Sequence, residues 1–136
     1  MSPGRFGFIG VVLVVVTAVI AGLVISGSPQ EQRLLRADDE RVNDLQRLSS
    51  VIGRYYRETE SLPAELATLL NGWISQEIPR DPDTDAPYIY ELTGATAYQL
   101  CAEFSLESRP ARQPEFWDHG AGRGCFFFDY ADIVLD

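Results

Sequence analysis

The hydrophobic pattern begins with an apolar run from Phe6 to Ile25 that contains no charged residue. About twenty apolar residues at helical rise match the hydrocarbon thickness of a bilayer, so the run predicts a transmembrane helix over residues 6–26. A cleaved secretory signal is the alternative. An uncleaved anchor is favoured because the run is longer than a usual signal core and no A-x-A-like site follows it.

The pattern changes over residues 30–58, where apolar side chains recur three or four positions apart. This spacing predicts a long amphipathic α-helix. The stripe consists of Leu35, Val42, Leu45, Leu48, Ile52, Tyr55 and Tyr56. A shorter second helix is predicted within residues 61–73, with Ser61 as its cap and Asn71-Gly72 at its end.

Three later runs predict β-strands, at residues 87–92, 97–104 and 125–135. The first two are joined by a Thr-Gly-Ala-Thr segment, which is typical of a hairpin. The predicted fold class is α+β: an N-terminal transmembrane helix continues into a long amphipathic helix packed on a small three-stranded antiparallel sheet. The predicted core comprises Leu45, Leu48, Ile52, Tyr56, Leu66, Leu69, Tyr90, Leu100, Phe104 and Phe126.

Cys101 and Cys125 are the only cysteines, and a Pro- and Gly-rich loop separates them. We predict a disulfide, which in a loop of this size contributes about 3 kcal/mol by chain-entropy reasoning. Two free thiols or a metal site are the alternatives; the pair with the lone His119 falls short of the four ligands of a structural zinc. Disulfides persist outside the cytoplasm.

The predicted organisation is therefore a short tail at residues 1–5, the span at 6–26 and an extracytoplasmic domain at 27–136. Arg5 precedes the span, whereas Arg33, Arg36 and Arg41 follow it, which by the positive-inside rule favours the opposite orientation. The cysteine pair outweighs this and favours a periplasmic C-terminal domain, anchored in a bacterial inner membrane. Gly7, Gly10, Ala18 and Gly22 are small residues through which the span could pack against other helices.

Charge excludes one class of partner. The chain has 11 basic residues against 20 acidic ones and a net charge of −9. Phosphate affinity needs a net basic patch, so we expect no nucleic-acid partner. Other membrane-protein subunits, contacted through the span and the acidic domain, are the expected partners.

Asp81, Asp83 and Asp85 occupy alternate positions, a spacing that suits a hard cation. Ala86 and Leu92 stand where a calcium-binding EF-hand loop would have Gly and Glu. Asp81-Pro82-Asp83-Thr84 fits a type I turn instead. We predict a polar corner that begins the following strand, with a surface calcium site as the alternative.

His119, next to Asp118 and near Glu115, is the candidate for acid–base chemistry. Neighbours in sequence do not face each other in an active site, and no nucleophile motif accompanies them. A histidine with structural contacts is the favoured interpretation. We expect no enzyme activity, no cofactor and no metal.

The order of the segments resembles a known family. The matching residues are Asp44-Leu45-Gln46, Tyr55-Tyr56, Leu62-Pro63, Leu66, Leu69, Asp81-Pro82, Pro87-Tyr88, Tyr90, Tyr98, Leu100-Cys101-Ala102, Phe104, His119-Gly120 and Cys125-Phe126. In this order they resemble type IV pilins and the major pseudopilins of type II secretion, and more closely the pseudopilin-like membrane-anchored proteins of bacteria. The resemblance implies a pilin-like fold.

The N-terminus departs from the filament-forming members of that family. Those have a Glu five residues after the prepilin-peptidase site, whereas here the apparent site Gly7-Phe8 is followed by Val12 at that position. We therefore expect a non-filament variant that acts as a structural or accessory subunit of a larger bacterial membrane complex, whether respiratory, photosynthetic or secretory. A pseudopilin of a type II secretion or type IV pilus machine is the alternative.

Overall fold

The computed structural model describes residues 3–25, 28–75, 77–109 and 115–131, with the side chains of residues 3–6, 23 and 25 left undescribed. The chain divides into two compact units, Met1–Leu34 and Leu35–Asp136. Residues 132–135 of the predicted last strand and Ser26 of the predicted span lie outside the described residues.

The first unit contains helix α1, Pro3–Ile25. Its described side chains are all exposed. Among the residues that the structure describes, no helix combines the length and the apolarity needed to cross a membrane. The span over residues 6–26 therefore stays a prediction.

Helix α2 runs over Pro29–Thr59, close to the predicted 30–58. Its first turn is capped by Ser28, whose Oγ accepts a hydrogen bond from the N–H of Glu31 at 3.1 Å. Pro29 follows the cap, where its missing N–H costs nothing. The helix ends where Glu60 adopts a left-handed φ of 55° and donates its N–H to the carbonyl of Tyr56.

The segment after α2 forms a 3₁₀ helix at Leu66–Leu70 rather than the predicted helix over residues 61–73. Glu65 is fully extended, with a φ of −151°, so helical geometry begins only at Leu66. Ser61 does not cap this helix; its Oγ bonds to Thr59. The predicted end of this helix at Asn71-Gly72 is confirmed. Gly72 has a left-handed φ of 97°, which glycine adopts without strain.

A three-stranded antiparallel sheet follows, in the order β1-β2-β3. The strands are β1 Ile89–Leu92, β2 Ala97–Phe104 and β3 Gly122–Asp129. The predicted second strand is confirmed to the residue. The first begins two residues later than predicted, and β3 begins three residues earlier than Cys125. The α+β class, with two helices and this sheet, is confirmed.

The core lies between α2 and one face of the sheet. It consists of Leu45, Leu48, Ile52, Leu69, Tyr88, Tyr98, Leu100, Ala102, Phe104 and Phe126. Three residues predicted for the core are only half-buried, Tyr56, Leu66 and Tyr90. Tyr88 and Tyr98, which were not predicted, are buried instead: Tyr88, just before β1, and Tyr98, on β2, both pack in the core with residues of α2.

The predicted disulfide between Cys101 and Cys125 is confirmed. The two cysteines lie directly opposite each other on β2 and β3. Their neighbours Leu100 and Phe126 belong to the core, so alternation along the strands puts the disulfide on the other face of the sheet. It joins the two strands that the long loop separates in sequence.

Candidate functional site

The aspartate turn, residues 81–85, is stabilised by hydrogen bonds between its own residues. Asp81 Oδ1 accepts hydrogen bonds from the N–H groups of Asp83 and Thr84, each at 3.0 Å. The N–H of Asp85 donates to the carbonyl of Asp81 at 2.9 Å, so the turn closes one residue beyond the predicted four. Asp85 has a left-handed φ of 57°, a conformation that aspartate tolerates better than most residues.

Arg41 of α2 reaches this turn and is buried there. Its Nε donates to Asp81 Oδ2 at 2.6 Å, and its Nη2 donates to Asp81 Oδ1 at 3.0 Å and to Asp83 Oδ2 at 2.9 Å. Its Nη1 donates to Asp38 Oδ1 at 2.7 Å and to Ser105 Oγ at 3.1 Å. All five N–H groups of the guanidinium therefore have acceptors.

Asp38 extends the network to the end of β2. Its two carboxylate oxygens accept hydrogen bonds from the backbone N–H groups of Ser105 and Leu106, at 2.8 and 2.9 Å. These two N–H groups follow the last residue of β2, beyond its pairing with the other described strands. A single buried cluster thus connects α2, the aspartate turn and the exit from β2.

The charges of Arg41 and Asp81 are fixed over the physiological range, because the pKa of each moves away from neutrality. The hydrogen bonds from Arg41 hold the pKa of Asp81 well below its ordinary value. The hydrogen bonds to Asp81 and Asp38 raise the pKa of Arg41, against the opposing effect of burial. A carboxylate that stays ionised and a guanidinium that stays protonated exchange no proton near neutral pH, so the cluster is suited to holding structure and not to acid–base chemistry.

The three aspartates of the alternative calcium site are not arranged as ligands of one cation. Asp81 uses both oxygens for Arg41, and Asp83 bonds to the same guanidinium. Asp85 is exposed. Within the described part of the chain, no group of three or more His, Cys, Asp or Glu side chains is placed to hold a metal ion. The positive charge at the turn is supplied by the protein itself.

A second polar contact lies one turn further along α2. Tyr88 donates its hydroxyl proton to Asp44 Oδ2 at 2.9 Å, and both residues are buried. Burial, and then the neighbouring carboxylate, raises the pKa of Tyr88 above its ordinary value. The contact fixes the chain just after the aspartate turn against the same face of α2.

These partners in α2 were missed by the sequence-based prediction, although a signal was present. Asp38, Arg41 and Asp44 recur every third residue and lead into the buried positions Leu45 and Leu48. Charged residues that continue an apolar stripe are candidates for buried ion pairs, because unpaired charges are almost never buried. Their partners, some forty or more residues away in the chain, carried no local signal.

The histidine candidate does not form an acid–base centre with its neighbours. The ring of His119 stacks on Phe104, with centroids 3.6 Å apart, and its Nδ1 contacts the carbonyl of Gly120 at 3.2 Å. Asp118 accepts a hydrogen bond from the N–H of Glu115 at 2.8 Å and so closes its own local turn. His119 and Asp118 border an open depression that Ser108 also lines. The arrangement ties the loop to the end of β2.

The small residues singled out in α1, Gly7, Gly10, Ala18 and Gly22, are exposed. A methyl group built on any of the three glycines would meet no described atom within 4 Å. The described part of the chain therefore makes no packing contact at these glycines.

The chain matches no protein-family model, no curated protein and no solved structure. The pilin-like resemblance accordingly stays a prediction from the order of short motifs.

Proposed function

We propose that this chain is a non-enzymatic, single-span membrane protein that acts as a structural or accessory subunit of a larger bacterial membrane complex. The observation that carries the proposal is the exposed apolar surface of α1. Phe8, Val14 and Val24 are 72, 70 and 76 % exposed, and no charged residue occurs between Phe6 and Ile25. A contiguous apolar surface of this size needs lipid or a protein partner to cover it.

The domain that follows would lie in the periplasm, with α1 in the inner membrane. The disulfide between Cys101 and Cys125 supports this location, because such bonds persist in oxidising compartments. The acidic charge of the chain favours partners that are not anionic lipid or nucleic acid.

The contacts of the polar residues support a role without catalysis. Arg41 and its carboxylate partners satisfy one another, and His119 stacks on Phe104. Neither group offers a nucleophile paired with a base, which covalent or acid–base catalysis requires. The folded domain would then serve to present a surface to partner subunits.

The proposed contact inside the membrane is the face of α1 that carries Gly7, Gly10, Ala18 and Gly22. At 100° per residue these four positions fall within about 120° of one another around the helix. Small residues on one face allow another helix to approach closely, which drives helix association in lipid.

The test is affinity purification of the tagged full chain in a mild detergent. We expect other membrane subunits to co-purify, and the G10L/G22L double variant to lose them because leucine blocks close approach while keeping the helix apolar. V16L, on the opposite side of α1, is the matched control and should retain them. Recovery of the wild-type chain without any companion contradicts the proposal.

The alternative is a pseudopilin of a type II secretion or type IV pilus machine. It is supported by the order of elements, a long helix followed by an antiparallel meander, which is the order that the resemblance implies. Mass spectrometry of the native N-terminus separates the two. Cleavage after Gly7 with methylation of Phe8 favours the pseudopilin, whereas an unprocessed N-terminus favours the accessory subunit.

A further inference from the structure

The two edges of the sheet differ in how they are protected against pairing with another strand. An exposed edge presents unpaired N–H and C=O groups, and proteins block it with short strands, charges or proline. β1 has only four residues, carries Glu91 and follows Pro87. This edge is blocked in the usual ways.

β3 lacks these protections. Among the described residues it pairs with β2 alone, and it is eight residues long. Its central stretch, residues 124–128, contains no charge and no proline, and Phe127 within it is 64 % exposed. A long, apolar edge of this kind is a surface that accepts another strand.

We infer that β3 pairs with β3 of a second copy of this chain, in antiparallel orientation and centred on Phe126, so that two sheets become one of six strands. The charges of the strand select this partner and register. With Phe126 opposite Phe126 of the second copy, Arg123 of each copy lies opposite Asp129 of the other, on the same face of the sheet. The symmetry of the pairing forms this ion pair twice.

Both side chains are accessible to form this ion pair between the two copies. Arg123 is 49 % exposed, and its one ion pair in the described chain, with Glu91, is long at 3.8 Å. Asp129 is exposed, and its Oδ1 accepts hydrogen bonds from Thr96 and from the N–H of Ala131. Within the described residues its second oxygen accepts no hydrogen bond and can receive a cation.

The same register covers the exposed aromatic surface. Phe127 would lie opposite Cys125 of the second copy and diagonal to its Phe127, a separation that aromatic side chains span. This face also carries the disulfide, which holds β3 to β2. The strand that would be shared is therefore fixed covalently in its own sheet. This inference does not depend on whether α1 enters a membrane.

The test uses charge reversal in the full chain, with mass measured by sedimentation or native mass spectrometry in mild detergent. The wild-type chain should form a dimer. R123D places Asp opposite Asp129 twice, and D129R places Arg opposite Arg123 twice. Opposed like charges should weaken the dimer roughly tenfold or more in each single variant.

Mixing the two single variants supplies the decisive result. In the heterodimer Asp at position 123 meets Arg at position 129, and Asp129 meets Arg123, so both pairs are attractive again. The mixture should form heterodimers in preference to either homodimer. R109D and E107R, which make the same charge changes at exposed positions outside β3, should leave the dimer intact.

Circular dichroism and the intact disulfide would show that each variant is folded. A wild-type chain that stays monomeric overturns the inference. Single variants that dimerise as well as the wild type overturn it too, because the contact would then lie elsewhere. Single variants that fail to recover on mixing overturn the proposed register and with it the inference.

Discussion

Arg41 and Asp81 lie forty residues apart in the chain and form a buried two-point ion pair, Nε to Oδ2 at 2.6 Å and Nη2 to Oδ1 at 3.0 Å. Their side chains are only 3 and 7 % exposed. Two parallel N–H···O bonds between a planar guanidinium and a carboxylate fix both distance and orientation. The pair therefore fixes the position of the aspartate turn against α2. Because β1 follows the turn, the pair also positions the start of β1.

Removal of Arg41 should destabilise the domain strongly. R41A leaves Asp38 and Asp81 buried without a counter-charge, and breaking a buried pair from one side costs about 3–5 kcal/mol. R47A, an exposed arginine on the same helix, is the matched control and should change the free energy of unfolding by no more than about 0.5 kcal/mol. Urea unfolding followed by circular dichroism measures both. Equal effects of the two substitutions would mean that the ion pair contributes nothing specific.

Stability should fall steeply in acid because of Asp81. Its pKa is held far below the ordinary value in the folded chain by Arg41, whereas in the unfolded chain it binds a proton near about pH 4. Below that pH the unfolded state binds the proton that the folded state does not, so the free energy of unfolding drops as the pH falls. D81N should show a shallower drop below about pH 4 than the wild type. An unchanged slope would be the contrary result.

Tyr88 provides a test of the second buried contact. Y88F leaves the carboxylate of Asp44 without its hydrogen-bond donor, and an unsatisfied buried group costs about 1–3 kcal/mol. Y55F is the control, because no described residue bonds to the hydroxyl of Tyr55. Thermal unfolding should separate the two variants. A control as destabilised as Y88F would show that the loss of stability is not specific to the hydrogen bond between Tyr88 and Asp44.

The disulfide carries both a stability and a location prediction. Replacing Cys101 and Cys125 by alanine should lower the free energy of unfolding by about 3 kcal/mol, since the cross-link restricts the unfolded chain. In intact cells a thiol-alkylating reagent should label the wild-type chain only after reduction. Labelling without reduction would argue against an oxidising compartment and therefore against the periplasmic location.

The elements that sequence patterns predicted well are those with a strong local signal. The boundaries of α2 follow from the spacing of residues such as Leu45, Leu48 and Ile52, and β2 follows from its alternation, with Tyr98 and Leu100 facing the core. The short helix was placed less well. Its first five positions lie in extended or irregular backbone, although they include a potential cap and a proline that a helix accepts.

The buried cluster could not be predicted in the same way. A charged residue on a helix is ordinarily expected to be exposed to solvent. Arg41 is buried only because its partners in distant segments supply acceptors and counter-charges. Asp81 and Asp83 were assigned to a turn, which closes at Asp85 and not at Thr84 as predicted, but their alternate spacing also suggested a cation site. The geometry explains that spacing differently, because two of the three aspartates face a guanidinium from α2.

The central claim is that α1 anchors this chain in a membrane, and alkaline carbonate extraction of membranes from cells producing the full chain tests it most directly. We expect the wild-type chain to stay in the membrane pellet. The V14R/V15R double variant should shift to the supernatant, because each charge at the centre of a span costs about 2.5–3.5 kcal/mol. Release of the wild-type chain into the supernatant would contradict the claim.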